Sequence, residues 1–388
     1  MIEEKKKTIA TIAEKNRIID NIIGAMVKKE HFLLLGHRSP DEDCISALVG
    51  FALILSKFGK TPVIFLAQAM NRQYEYLLNI CKFNSIQIAT SFGPEDGPID
   101  AIAILDTPKP EMLNANAYID SLFADDSIIK IEIDHHIGAD GAYIGQPGYR
   151  LVLEASSAAE LVGHLALKLQ NRPEILAQNQ VTELFSRNVV LALLTGIISD
   201  TNMGQYIKSR RERRYYEIFS NMFNSMLAKE TVKDTNFADM KEIFAELTRL
   251  SNKEESFFRF VMKKRQRSKS LAYVLLEKRV MDRIWKDNDV ETVVSVSRNV
   301  TDKLAEESGK LGMVAYYDNP EKSDLVQFRV RRSQDYKGFD LRTLLTLLSI
   351  ENGGGHEGAI GFRIPKRSLK DLKSYAAQIV PKIDEVVG

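Results

Sequence analysis

Cysteine and net charge are both scarce in this chain. Two cysteines, Cys44 and Cys81, among 388 residues cannot build a disulfide framework. That scarcity points to a reducing compartment, the cytoplasm. A formal net charge of +1 gives no overall attraction to nucleic acid or to an anionic membrane. Any polyanion would have to be met by local groups. No apolar run reaches the roughly 20 residues of a membrane-spanning helix. The longest candidate, residues 189–198, is interrupted by Thr195 and Gly196. A secretory signal is not expected either. Ile9, Ile12, Ile19, Ile23 and Met26 are spaced along one helical face among Glu14, Lys15, Arg17 and Asp20, as in a helix packed on a domain.

A hydrophobic content of 44% with 27% charged residues is ordinary for a globular protein, and the length allows two or three domains. Short apolar strands are expected at residues 31–36, 61–66, 86–89, 101–105 and 128–133, alternating with helical stretches. One helix should run over residues 43–58, ended by Gly59 and followed by Pro62. This alternation predicts an α/β fold, a mainly parallel sheet with helices on both faces. Two further helices are expected over residues 156–169 and 181–198. After Tyr206 the chain turns polar and helical, strongly basic at residues 208–214. A smaller C-terminal α/β domain should follow, with strands at 271–276, 292–296, 313–317 and 325–330, a Gly-rich loop at 352–361 and a helix at 369–379. The expected boundaries are 1–206 for a catalytic domain, 207–260 for a helical connector and 261–388 for the C-terminal domain.

The strand over residues 128–133 is β-branched and runs straight into Asp134-His135-His136. An acid and two imidazoles are poor core material, and burying them without partners would cost several kcal/mol. Three other segments end in the same way. His37-Arg38-Ser39-Pro40-Asp41-Glu42-Asp43 follows the first strand, Asp106 closes residues 101–105, and Asp200 follows residues 191–199. Taken singly, each has an ordinary alternative: a turn, a helix cap, a strand end or hydrogen-bonded surface residues. Taken together, four acidic or imidazole clusters at element ends need a common cause. Three of the six histidines fall within them. Carboxylate oxygens and imidazole nitrogens without thiolate favour Mn²⁺ or Mg²⁺, with Co²⁺ or Fe²⁺ as further candidates, over structural zinc. So many carboxylates suit two divalent metal ions, a pair that activates water and clamps a phosphoryl group.

The order H-x-x-P-D-x-D, a strand-ending Asp, D-H-H and a late Asp200-Thr201 resembles the DHH phosphoesterase superfamily. Gly353-Gly354-Gly355-His356 resembles the GGGH loop of the domain associated with that superfamily. The resemblance implies that His37 and Asp41 hold one metal, that Asp43, His135 and Asp200 hold the other, and that Asp106 bridges them. It implies that His136 faces the scissile phosphate and that Asp134 orients its histidine neighbours. In the second domain it assigns substrate binding to Arg332, Ser333, Gly353, Gly354, Gly355 and His356. Glu42, Cys44, Asp140, Asn202, Val330, Arg331 and Asn352 depart from the usual pattern, which bears on substrate choice more than on catalysis.

Two basic, aromatic patches could line a nucleic-acid path: Arg210, Arg211, Arg213, Arg214, Tyr215 and Tyr216, and Lys263, Lys264, Arg265, Arg267 and Lys269 beside Phe257, Phe258 and Phe260. Neighbouring Glu212, Glu217, Glu254 and Glu255 favour solvated helical faces instead. The expected activity is metal-dependent hydrolysis of short RNA or DNA oligonucleotides, or of small nucleotides such as 3′-phosphoadenosine 5′-phosphate, in the manner of the nanoRNase/pAp-phosphatase branch. Cyclic or linear dinucleotide hydrolysis, a single-strand exonuclease and a non-catalytic nucleotide-binding module are the alternatives. A homodimer is a further expectation, and a membrane partner is not.

Overall fold

The computed structural model describes residues 5–68, 70, 72–137, 141–227, 240–247, 250–333 and 335–388. Asp140 lies outside them. The chain divides into two compact units, Met1–Leu247 and Thr248–Gly388.

Unit 1 contains α1 (Ile12–Lys28), β1 (His31–Leu35), α2 (Glu42–Lys57), β2 (Thr61–Phe65), α3 (Glu75–Phe83), β3 (Gln87–Ala89), β4 (Ala101–Leu105), α4 (Ala117–Phe123), β5 (Ile129–Asp134), β6 (Arg150–Val152), α5 (Ala158–Gln170), α6 (Pro173–Gln178), α7 (Arg187–Asp200), α8 (Arg210–Leu227) and α9 (Met240–Leu247). Its six strands are all parallel, in the order β3-β2-β1-β4-β5-β6. The inner strands read as unbroken apolar runs because both faces are covered. Phe32 and Leu34 of β1 pack against α1, α2, α5 and α7, while Leu33 and Leu35 pack with Ile102, Ile104 and Ile119 of α4 on the other face. Asp41 caps α2 by accepting from the Cys44 N–H at 3.2 Å, and Gly59, at φ +71°, lies just past the helix end. Helix α8 lays Phe219 and Phe223, both fully buried, into the same core.

Unit 2 contains α10 (Asn252–Met262), β7 (Gln266–Arg267), β8 (Leu271–Leu276), α11 (Lys278–Asp287), α12 (Val290–Ser308), β9 (Leu311–Tyr317), β10 (Leu325–Arg332), α13 (Arg342–Leu347), β11 (Gly353–His356), β12 (Ala359–Pro365) and α14 (Leu372–Val387). Its sheet runs β11-β12-β10-β9-β8-β7, with β8 and β9 parallel and the other pairs antiparallel. One face packs on α13 and α14, the other on α10, α11 and α12. The chain therefore has the expected class, a parallel α/β unit followed by a smaller mixed one. No helix among the described residues is long and apolar enough to cross a membrane.

Several local expectations are corrected. Residues 292–296 are not a strand but part of α12. Val293, Val296, Val300 and Leu304 recur at helical spacing, Asp289 caps the start through the Thr292 N–H, and Gly309 closes the end at φ +77°. The β-branched Thr-Val-Val run had suggested a strand, and tertiary packing overrides that preference. Residues 352–361 are not a loop but a hairpin of β11 with β12. Gly355 stands at φ +137°, where an added Cβ would lie 2.2 Å from the Ala359 carbonyl oxygen. The glycines thus serve close strand pairing and not only loop freedom. Helix α7 begins at Arg187 rather than at residue 181, and α14 continues through Pro381 to Val387.

Candidate metal centre

The strand order creates the site. From β1 the chain builds outward through β2 and β3, then returns to β4 on the other side of β1. The connections leaving the carboxyl ends of β1 and β4 therefore diverge, and the crevice between them is where open α/β sheets bind ligands. His37 follows β1, Asp106 follows β4, and Asp134-His135-His136 end β5. Asp200 is the last residue of α7, which packs against α2.

These side chains converge. His37 Nε2 lies 3.8 Å from Asp41 Oδ1 and 3.7 Å from Asp106 Oδ2. His135 Nε2 lies 3.8 Å from Asp43 Oδ2, 3.3 Å from Asp106 Oδ1 and 3.8 Å from Asp200 Oδ2. His136 Nδ1 lies 3.5 Å from Asp106 Oδ1 and 2.8 Å from Asp134 Oδ1. Adjacent ligand atoms of one ion with bonds of about 2.1 Å are themselves about 3–3.5 Å apart, so these separations suit cations shared among the groups. His135 Nδ1 lies 3.3 Å from the Ala155 carbonyl oxygen, which calls for a proton on Nδ1 and leaves Nε2 facing the three carboxylates.

Local structure aims each carboxylate. Both Asp43 oxygens accept backbone N–H groups at the start of α5, from Ala158 at 2.5 Å and Ala159 at 2.9 Å. Gly196 of α7 makes room for this, since a Cβ there would lie 2.6 Å from Asp43 Oδ1 and 2.6 Å from Ala159 Cβ. Asp106 sits at φ +49°, a conformation that costs a non-glycine residue roughly 1–3 kcal/mol and clusters at functional sites. Its Oδ1 and His37 Nδ1 are buried without a hydrogen-bond partner. Buried, unsatisfied polar atoms of this kind ask for a ligand.

The electrostatics agree. Burial, then the charge of Asp106, pushes the Asp43 carboxyl well above the usual carboxylate range. Burial together with Asp43 and Asp41 does the same to Asp200. Burial works against a charged His135, yet Asp106, Asp43 and Asp200 hold its imidazole well above the ordinary value. A crowd of carboxylates that retains protons in this way is relieved by divalent cations. Oxygen and imidazole donors fit Mn²⁺, Mg²⁺ or Co²⁺.

The other predicted residues lie in unit 2. Arg332 is buried, with its Nη1 donating at 2.7 Å to both the Phe339 carbonyl and Glu357 Oε1. Ser333 Oγ is 3.2 Å from Glu306 Oε2. Gly353, Gly354 and Gly355 form β11 with His356, and Gly354 and Gly355 are exposed. The connector patch is largely engaged within unit 1: Arg211 reaches Glu154 and Glu160, Tyr215 meets His164, and Tyr216 donates to the Met203 carbonyl.

Two residues beside the site were not singled out from the sequence. Glu132 is fully buried in β5 and accepts the Ile144 and Gly145 N–H groups. Lys6 is buried against Glu132 and Asp134. Lys5-Lys6-Lys7 reads in sequence as a solvated run, whereas a charge beside Asp134-His135-His136 could have drawn notice to Glu132.

The chain is similar to several known proteins. An exopolyphosphatase-related protein from Bacteroides fragilis shares the fold, with 18% identity, 98% of this chain and 99% of that chain covered, and a TM-score of 0.64. RecJ from Thermus thermophilus, solved in complex with Mn²⁺, matches with 12% identity over 98% of this chain and 55% of that chain, at a TM-score of 0.44. No curated protein sequence matches the chain. Residues 31–197 match the family model described as "DHH family, N-terminal domain". That match falls within the unit that holds the converging carboxylates and imidazoles, so this part of the chain is similar to the DHH family.

Proposed function

We propose that this chain is a metal-dependent phosphoesterase hydrolase acting on very short oligonucleotides or on small nucleotides such as 3′-phosphoadenosine 5′-phosphate. The observation that carries this reading is the meeting of His37, Asp41, Asp43, Asp106, His135 and Asp200 at the carboxyl ends of β1 and β4, with nitrogen-to-oxygen separations of 3.3–3.8 Å. In it, His37 and Asp41 would hold one divalent cation, Asp43, His135 and Asp200 would hold another, and Asp106 would contribute to both. Such a pair, when bound, supplies the Lewis acidity that activates water and offsets charge on a phosphoryl group. His136, with 41% of its side chain exposed against 15% for His135, is the imidazole free to meet a phosphate oxygen. Asp134 accepts the His136 Nδ1–H and so turns Nε2 outward.

In unit 2 the exposed Gly354 and Gly355, with Ser333 and His356 of the same sequence pattern, would supply the phosphate-binding groups. Arg332, whose Nη1 lies 2.7 Å from Glu357 Oε1, would be the guanidinium that grips a substrate phosphate.

Incubation with Mn²⁺ or Mg²⁺ and a panel of dinucleotides, longer oligonucleotides, 3′-phosphoadenosine 5′-phosphate, cyclic dinucleotides and polyphosphate tests the reading. The highest kcat/KM is expected on dinucleotides or 3′-phosphoadenosine 5′-phosphate. Two bound metals with no turnover of any substrate would overturn it in favour of a binding module.

A further inference from the structure

Lys6 has no part in that chemistry, yet its side chain is 0% exposed. Its ammonium lies 2.6 Å from the Thr107 carbonyl oxygen, 2.6 Å from Asp134 Oδ2 and 2.8 Å from Glu132 Oε1. An ammonium has three donors, and each has a partner here. The segment that delivers it is held along its length. Lys5 bridges Ala142, the Lys6 N–H donates to the Gly141 carbonyl at 2.8 Å, Lys7 N donates to the Tyr143 hydroxyl at 3.0 Å, and Ile9 N donates to the Val152 carbonyl at 3.3 Å. Residues 5–9 thus form a strap along β6 and the stretch around residues 141–143. The strap passes close: a Cβ added at Gly141 would lie 3.1 Å from Lys6 Cβ.

The Asp134 carboxylate stands between Lys6 and the site. Oδ2 takes the Lys6 ammonium and Oδ1 takes His136 Nδ1 at 2.8 Å. An ionised carboxylate only accepts, so the hydrogen must sit on His136 Nδ1, leaving Nε2 to face outward. Without the ammonium, Asp134 would be free to rotate toward other donors. Full burial of a lysine with three partners is costly to arrange and is not the cheapest way to stabilise a loop, because apolar replacements of buried ion pairs are often neutral or stabilising.

We propose that Lys6 is a positioning residue for the phosphoryl site: its ammonium locks Asp134 in the rotamer that accepts the His136 Nδ1–H and so fixes which nitrogen of His136 meets the substrate. The proposal rests on the phosphoesterase reading for its kinetic consequence, but not for its structural one.

The test uses the full chain carrying Lys6→Met, and Lys6→Met combined with Glu132→Gln. The second variant also neutralises the buried Glu132 carboxylate that loses its cation in the first, so the test stays readable if the single variant is destabilised. With Mg²⁺ and a dinucleotide, kcat should fall about 10–100-fold in both variants while KM and Mg²⁺ affinity hold. Imidazole ¹⁵N spectra should show His136 protonated on Nδ1 in the parent chain and a mixture of tautomers in both variants. Recovery of the parent kcat in the double variant would mean that Lys6 only balances charge, and would overturn the proposal. If the parent chain hydrolyses nothing, the phosphoesterase reading falls, and the spectra still decide: an unchanged His136 tautomer without Lys6 overturns the role given to Lys6.

Discussion

Asp106 lies within 3.7 Å of His37, His135 and His136, a contact with every imidazole of the centre. On the proposed assignment, removing it takes one ligand from both cation positions at once. Asp106→Ala should therefore lower turnover at least ~100-fold and weaken Mn²⁺ binding measured by calorimetry. Turnover near the parent value would refute the shared-ligand assignment. His164 is a different kind of titratable residue. It is buried against Tyr215 in unit 1. Burial, then the charges of Arg211, Lys15 and Lys168, pulls its imidazole down to about 3. The unfolded chain, with an ordinary histidine near 6.5, binds a proton that the folded chain refuses. That contribution to stability is full above pH ~6.5 and is lost as pH falls toward 3. His164→Asn should flatten the acid limb of a thermal-stability profile between those values, and an unchanged limb would show that other groups set it.

At the scale of elements, α7 shows how packing overrides propensity. A glycine in a helix interior ordinarily gains about 1 kcal/mol on replacement by alanine. Gly196→Ala should do the reverse, because the new Cβ meets Asp43 Oδ1 and Ala159 Cβ, each at 2.6 Å. Both a lower melting temperature and weaker Mn²⁺ binding are expected, since the methyl displaces a carboxylate that the start of α5 holds in place. A stabilised variant with parent metal affinity would contradict the close α2–α5–α7 contact. The elements differ in how legible they were. The strands of unit 1 were readable because burial on both faces demands unbroken apolar runs, as in residues 101–105, where all five are buried. Residues 292–296 misled because β-branched residues suit a strand locally, and only the caps at Asp289 and Gly309 with the longer apolar period declare the helix.

At the scale of the molecule, cation binding and folding are linked. The centre collects carboxylates that repel one another and keep protons, so cations that bind only the folded chain should stabilise it. Free Mn²⁺ at about 100 times its dissociation constant should add roughly 2.7 kcal/mol per site, read as a rise in melting temperature that a chelator reverses. A melting temperature indifferent to Mn²⁺, Mg²⁺ and Co²⁺ would argue against a cation site in unit 1.

The sequence alone singled out the donor residues of the candidate centre. Carboxylates and imidazoles at the ends of apolar runs are too costly to bury idle, so His37, Asp41, Asp43, Asp106, His135, His136 and Asp200 could be named before any fold was known. It also determined the parallel α/β class, through continuous apolar strands alternating with helices. Tertiary structure decided what stands behind those residues. Strand order brings β1 beside β4 and thereby unites segments far apart in the chain. The start of α5 orients Asp43, Glu357 occupies Arg332, and Lys6 crosses more than a hundred positions to reach Asp134. Local sequence carries no record of such pairings, because a lysine in a basic run and a lysine buried between two carboxylates are spelled the same way. Only the path of the chain tells them apart.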